Sequence, residues 1–254
     1  MTGFLVFLLG LAIGSFLNVV VYRLPRSLSL SHPRSACPHC HAPIAAYDNI
    51  PVLSYLLLKG KCRHCRAAIP WQYPVVELIT AVLFFIVYYD KGLTVRLPLY
   101  LLFLAFMISI ALIDIKTGLI LDRQLMLMLG LGVVLNLLFP FIGWKEALTG
   151  MLAGAGSMYL IAFLGRMMLK KESLGFGDVK FAAVAGFYLG VLPTLAAAYI
   201  GFVLAFVAIL VSKALHKSLP RHIPLGPFLA GGFFLFLLWG HEIGALYLSL
   251  VQPR

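Results

Sequence analysis

Charge is what this sequence has least of. Only 11% of its 254 residues are charged, against 62% hydrophobic, whereas a soluble domain carries about 25% charged residues. So few polar groups cannot cover a water-exposed surface, which excludes a soluble globular protein. Acids are the scarcest of all, nine against 20 Lys and Arg. Cysteine is limited to four residues, too few for a disulfide-dense scaffold. The first apolar block lacks a basic leading region, and Gly14-Ser15-Phe16-Leu17-Asn18 runs on into apolar sequence where a cleavage site would stand. It therefore reads as a retained span and not as a signal peptide. No period of 20–50 residues supports a solenoid or an inverted-repeat transporter. No soluble segment is both basic and aromatic-rich, which excludes nucleic-acid binding.

What is present is apolar sequence in blocks long enough to cross a bilayer, about 20 residues each. They fall at about 3–22, 74–89, 97–114, 124–142, 147–168, 179–193, 194–212 and 228–250. The expected fold is an all-α polytopic membrane protein of about eight spans. Leu192-Pro193 is the expected break between the sixth and seventh. The expected organisation is a first span over 1–22, a polar loop over 23–73 and a membrane domain over 74–254. Only Lys91, Arg96, Lys145 and Arg254 fall on one side of the bilayer. The remaining Lys and Arg, including Lys171, Lys217 and Arg221, fall on the other. Cytoplasmic loops carry such an excess, so the 23–73 loop is expected in the cytoplasm and both termini outside. The same charge favours contact with anionic lipid headgroups.

The polar loop holds all four cysteines, as Cys37-Pro-His-Cys40 and Cys62-Arg-His-Cys65. Two C-x2-C pairs bring four thiolates around one structural zinc, organising a loop too short for its own core. Two disulfides fit poorly with a reducing cytosol, and an iron–sulfur centre is the remaining alternative. Such a zinc site is closed, so it shapes the loop and performs no chemistry. Between the pairs, Asn49-Ile50-Pro51 predicts an extended turn, because the residue before proline is biased away from helix.

Among the acids, Asp114 ends the apolar run Ile108-Ser109-Ile110-Ala111-Leu112-Ile113, and Asp178 lies in Gly175-Phe176-Gly177-Asp178-Val179-Lys180. Glu77 follows Tyr73-Pro74 near the start of the second span. An ionisable group in or at the rim of a span is costly and points to function. Gly175 and Gly177 leave backbone open to an extended substrate, and the charge count puts Asp114 and Asp178 on one membrane side. Two converging carboxyls suit aspartyl-protease chemistry, one polarising a carbonyl while the other activates water. Taken alone they suit a proton- or cation-coupled transporter equally. Thr117-Gly118 is expected to end the helix before Asp122, and Glu77 reads either as part of the site or as a helix-start carboxylate.

Together these pieces resemble a known family. Gly14-Ser15-Phe16-Leu17-Asn18 through Tyr22-Arg23-Leu24-Pro25, the paired Cys-x2-Cys motifs, and Tyr47-Asp48-Asn49-Ile50-Pro51-Val52-Leu53-Ser54-Tyr55 carry the likeness. So do Tyr73-Pro74-Val75-Val76-Glu77-Leu78, the Asp114 region and Gly175-x-Gly-Asp178-Val179-Lys180. Over its whole length the chain resembles the bacterial type IV prepilin peptidases. These are bifunctional leader peptidases and N-methyltransferases of pilus and type II secretion systems, within the Gly-x-Gly-Asp intramembrane aspartyl proteases. The resemblance implies catalytic roles for Asp114 and Asp178, with Lys180, Asp122 and Glu77 in support. It also implies removal of the basic leader of prepilins and pseudopilins after a glycine, at the cytoplasmic face of the inner membrane. Methylation of the new N-terminus by S-adenosylmethionine would follow. No glycine-rich nucleotide fingerprint marks where that co-substrate binds. The family commonly has Ile-Pro-Asp where this chain has Ile120-Leu121-Asp122.

Overall fold

The computed structural model describes residues 1–170, 174–215 and 224–251; Lys171, Lys217, Arg221 and Arg254 of the charge reading lie outside the described residues. Among the described residues every extended regular element is helical, and pairing of extended backbone is limited to two isolated bridges, Ala36–Pro43 and Lys61–Ala68. The chain divides into two compact units, Met1–Ser109 and Ile110–Arg254.

The first unit contains α1 (Thr2–Arg23), the short α2 (Leu53–Leu57) and α3 (Gln72–Lys91), with 3-10 turns at Leu24–Arg26 and Ala46–Asn49. α1 and α3 pack backbone to backbone because Gly10 and Gly14, one turn apart, present no side chain. A Cβ on Gly10 would lie 2.5 Å from Ala81 Cα, and one on Gly14 would lie 2.6 Å from Glu77 Cα. Small residues four apart are the usual way for membrane helices to gain contact where lipid gives no hydrophobic drive between them. α4 (Leu97–Thr117) then leads into the second unit. It stops where Gly118 adopts φ +66°, at the expected Thr117-Gly118 break.

The second unit holds α5 (Asp122–Leu138), α6 (Trp144–Leu169), α7 (Phe176–Leu189), α8 (Val191–Ala214) and α9 (Gly226–Val251). The same device recurs twice. Gly150 and Gly154 of α6 face the backbone of Gly186 and Ala182 in α7, and Gly232 of α9 faces Ala197 and Gly201 in α8. The α7–α8 junction differs from expectation. It falls at Gly190, with φ +82°, and not at Leu192-Pro193. Pro193 sits in the first turn of α8, where a proline's missing N–H is no loss.

Five described helical stretches are long and apolar enough to cross a membrane: Thr2–Arg26, Gln72–Lys91, Leu97–Thr117, Trp144–Met168 and Val191–Ala214. The chain is thus a multi-pass membrane protein. α5 and α7 have 17 and 14 residues, shorter than the roughly 20 that a perpendicular span requires.

Candidate active site and metal centre

The loop of the first unit is built on two copies of one structure. The pattern Cys-x-His-Cys-x-Ala-x-Ile occurs at 37–44 and again at 62–69. In each copy the first cysteine N–H reaches the alanine carbonyl, Cys37 to Ala42 at 3.0 Å and Cys62 to Ala67 at 2.8 Å. His41 and Arg66, at equivalent places, both take positive φ. The duplication is confined to the loop, and sequence reading aimed at long periods passes over it.

The two copies bring all four sulfurs within 4.8 Å of one another. A tetrahedron with Zn–S bonds near 2.3 Å has edges of about 3.8 Å, and Cys37 Sγ lies 3.8 Å from Cys65 Sγ. The donor set therefore fits a thiolate-preferring metal ion. The loop also prepares the ligands electrostatically. The backbone N–H groups of Cys40 and His39 point at Cys37 and lower its pKa from 9.0 to about 6. Those of Cys65 and His64 do the same for Cys62, whose pKa is also lowered. Cys65 receives the Ala67 N–H, yet burial and the neighbouring sulfurs push it up to about 11. That crowding of sulfur is what a bound cation would relieve.

Asp48 extends the loop's structure. Its carboxylate accepts a forked pair from Arg63, with Nε to Oδ2 at 2.8 Å and Nη2 to Oδ1 at 2.6 Å. Arg63 stands between Cys62 and Cys65, so the pair ties the Ala46–Asn49 turn to the second cysteine motif. The expected extended residue before Pro51 is present, with Ile50 at φ −72°, ψ 117°.

In the second unit, Asp114 lies in the last turn of α4 and Asp178 in the first turn of α7. Both are buried, at 5% and 8% exposure, and their carboxyls interact electrostatically. Asp114 Oδ2 accepts the Gly226 N–H at 2.8 Å, at the start of α9. A Cβ on Gly226 would lie 2.6 Å from that oxygen, so only glycine permits the approach. Gly226 was not among the expected residues; its signal in the sequence is the Gly226-Pro227 pair opening the last apolar block.

The glycines of the motif are constrained by packing as well as by access. A Cβ on Gly175 would meet Asp178 Oδ2 at 3.3 Å, and one on Gly177 would meet Ile120 Cβ at 3.0 Å. Gly175 is exposed, consistent with an open backbone beside the acid. Asp122 begins α5 after Leu121, whose φ −84° and ψ 124° supply an extended entry without the family's proline. Its carboxylate accepts from Lys180 Nζ at 2.6 and 2.8 Å, and that ammonium also lies 5.2 Å from the Phe176 ring centre. The exposed pair links the starts of α5 and α7 without adding much stability.

Glu77 belongs to the first unit. It is the sixth residue of α3 and only 7% exposed, and its Oε2 accepts the Val52 N–H at 2.7 Å. Ser15 of α1 also hydrogen-bonds to it. It therefore ties the cysteine loop to the α1–α3 pair, a role that neither sequence reading gave it.

Two family models match the chain, the Bacterial Peptidase A24 N-terminal domain over residues 8–91 and the Type IV leader peptidase family over 101–211. The first match contains the cysteines and Glu77, the second Asp114 and Asp178. The chain is also 35% identical to an Aeromonas hydrophila protein named prepilin leader peptidase/N-methyltransferase, over 96% of this chain and 93% of that one. This chain belongs to the type IV leader peptidase family. Proteins of the same name from Neisseria gonorrhoeae and Pseudomonas aeruginosa are 34% and 35% identical. They cover 90% and 95% of this chain, and 87% and 92% of their own lengths. No solved structure matches the chain significantly. Membership of the leader peptidase family makes the chain an enzyme of the aspartyl-protease class and selects that reading of the acids over a transporter's.

Proposed function

We propose that this enzyme removes the short basic leader of type IV prepilins and type II secretion pseudopilins after a glycine, with Asp114 and Asp178 as its catalytic pair. The observation that carries this reading is the pair's geometry. Two buried carboxyls from different helices meet at helix ends in a leader peptidase chain. One carboxyl polarises the scissile carbonyl while the other takes a proton from the attacking water. The Gly226 N–H orients Asp114, Gly175 leaves room beside Asp178, and Lys180 with Asp122 fixes the start of α7.

The enzyme spans the bacterial inner membrane about eight times, with both termini extracytoplasmic and the aspartates facing the cytoplasm. A leader rich in Lys and Arg stays on that side by the charge rule that orients the enzyme itself. The freed N-terminal amine is then methylated by S-adenosylmethionine, a second activity carried by the names of the relatives. Cys37, Cys40, Cys62 and Cys65 would hold a structural zinc, which supplies a fixed loop and no catalysis.

The test uses proteoliposomes and a prepilin substrate. Wild-type enzyme is expected to cleave it, and adding S-adenosylmethionine is expected to raise the mature N-terminus by the mass of one methylene. Absent cleavage by wild type, or unchanged cleavage by Asp178→Asn, overturns the peptidase assignment. Cleavage without the mass gain leaves a peptidase alone.

A further inference from the structure

α2 and its flanks present an apolar surface that the fold does not cover. Leu53, Leu56 and Leu57, spaced i, i+3 and i+4 on one helix face, are 48%, 64% and 72% exposed. Ser54, on the opposite side, is buried; its hydroxyl donates to the Tyr47 carbonyl and accepts the Ile50 N–H. Ile50 and Trp71 are also exposed. The sequence between α1 and α3 is the chain's long polar loop, so an apolar stripe here is out of place for a segment surrounded by water.

Its position explains the stripe. The Val52 N–H, immediately before α2, bonds Glu77 at 2.7 Å. Glu77 stands five residues past the start of α3, about 7.5 Å along its axis. Val52 therefore lies beside the first turns of α3 and not beyond its end. It holds this place in a left-handed conformation, φ +60°, that a β-branched residue rarely adopts. Trp71, the residue that caps α3, marks the same level, where tryptophan is enriched between headgroup and hydrocarbon.

Charge decides between occupants. Lys59 and Lys61 follow α2 directly, and both are exposed. They repel a basic leader peptide and the same lysines of a second copy, and they attract an anionic lipid surface. We propose that residues 50–57 form an interfacial anchor, with Leu53, Leu56 and Leu57 seated in an anionic lipid surface. The cysteine loop is thereby held against the membrane, with Glu77 setting its depth. Short apolar helix faces bordered by cations lie in the interface plane in this way. The proposal depends on the membrane reading and is independent of the peptidase assignment.

The test is depth-resolved fluorescence of the full-length protein in vesicles containing anionic lipid. In one variant Trp144→Phe and Trp239→Phe leave Trp71 as the native reporter; in a second, Trp71→Phe and Leu57→Trp are added. Lipids brominated near the headgroup are expected to quench both reporters about twofold more than lipids brominated near the chain end. Glu77→Ala is expected to lessen the quenching of the residue-57 reporter while leaving Trp71 as it was, which separates a released loop from an unfolded protein. Lys59→Gln with Lys61→Gln is expected to remove the dependence on anionic lipid. Three results overturn the proposal. One is no quenching of the residue-57 reporter by either lipid, with aqueous iodide quenching it as fully as a reporter placed by Arg66→Trp. The second is shielding that disappears on dilution into excess lipid, which assigns the face to a second copy. The third is shielding that appears only with a prepilin peptide, which assigns it to substrate.

Discussion

The cysteine loop and the aspartate pair both hold reactive side chains in place, by opposite means. In the loop, backbone N–H groups and one forked ion pair arrange largely exposed sulfurs around a point that a cation would fill. Around Asp114 and Asp178 the positioning comes from helix packing, with glycines admitting backbone where any side chain would collide. Small changes should therefore act differently in the two regions. Around the aspartates a single methyl group has nowhere to go. In the loop, geometry depends on charge and on metal, so solution conditions reach it. Removing groups from each region in turn breaks or sharpens that contrast.

The largest effect belongs to the carboxyls themselves. Asp114→Asn and Asp178→Asn keep the side-chain shape but not the acid, and each is expected to lower cleavage by about 10^3-fold or more, with normal insertion and folding. Prepilin cleavage in proteoliposomes measures it. Retained activity in either variant would break the assignment of the pair.

Next is Gly226→Ala. The added Cβ would stand 2.6 Å from Asp114 Oδ2, so the carboxyl or the start of α9 must shift. A displacement of about 1 Å is enough to lower turnover by roughly 10²-fold. The loss is expected mainly in kcat, since the substrate's leader is recognised elsewhere. Gly156→Ala is the control, because a Cβ there meets nothing within 4 Å.

How much of this was legible from sequence follows the same division. Local chemistry was legible: the apolar blocks, the paired cysteines, the break at Thr117-Gly118 and the two aspartates all announce themselves in residue type and spacing. Contacts distant in sequence were not. Gly226 stands far along the chain from Asp114, and no local pattern pairs a glycine N–H with a carboxylate. The Glu77–Val52 bond likewise depends on how the loop folds back on α3. The Gly10/Gly14 and Gly150/Gly154 pairs were readable as helix-packing signals. A reading directed at hydrophobic length passes over them, because glycine only interrupts the count. At Leu192-Pro193 the proline suggested a break that Gly190 makes, since proline tolerated in a first turn looks the same in sequence as proline ending a helix.

Metal removal sharpens the contrast from the other side. A chelator is expected to leave cleavage by the aspartates within about twofold while added protease cuts the 36–69 region about tenfold faster, because a bound structural metal contributes folding energy to such a loop. Metal analysis of the purified protein and timed proteolysis measure it. An equal loss of cleavage would show that the two regions are coupled.

The smallest effect tests the loop's electrostatics with metal in place. Asp48→Asn keeps a hydrogen-bond acceptor for Arg63 but removes the charge. The expected change is a few-fold faster proteolysis around residues 46–57 at low salt. It should shrink as added salt shortens the screening length to about 10 Å and below, as for any exposed pair. Its pH dependence follows from the sign of the shift. Arg63, by hydrogen bond and by charge, holds the Asp48 carboxyl below its ordinary 3.8. The pair's contribution is then fully present above 3.8 and is lost only as pH falls through the lowered value. The difference between wild type and Asp48→Asn should therefore stay constant across neutral and mildly acidic pH. A difference that titrates near neutrality would assign it to the histidines flanking the cysteines instead of to Asp48.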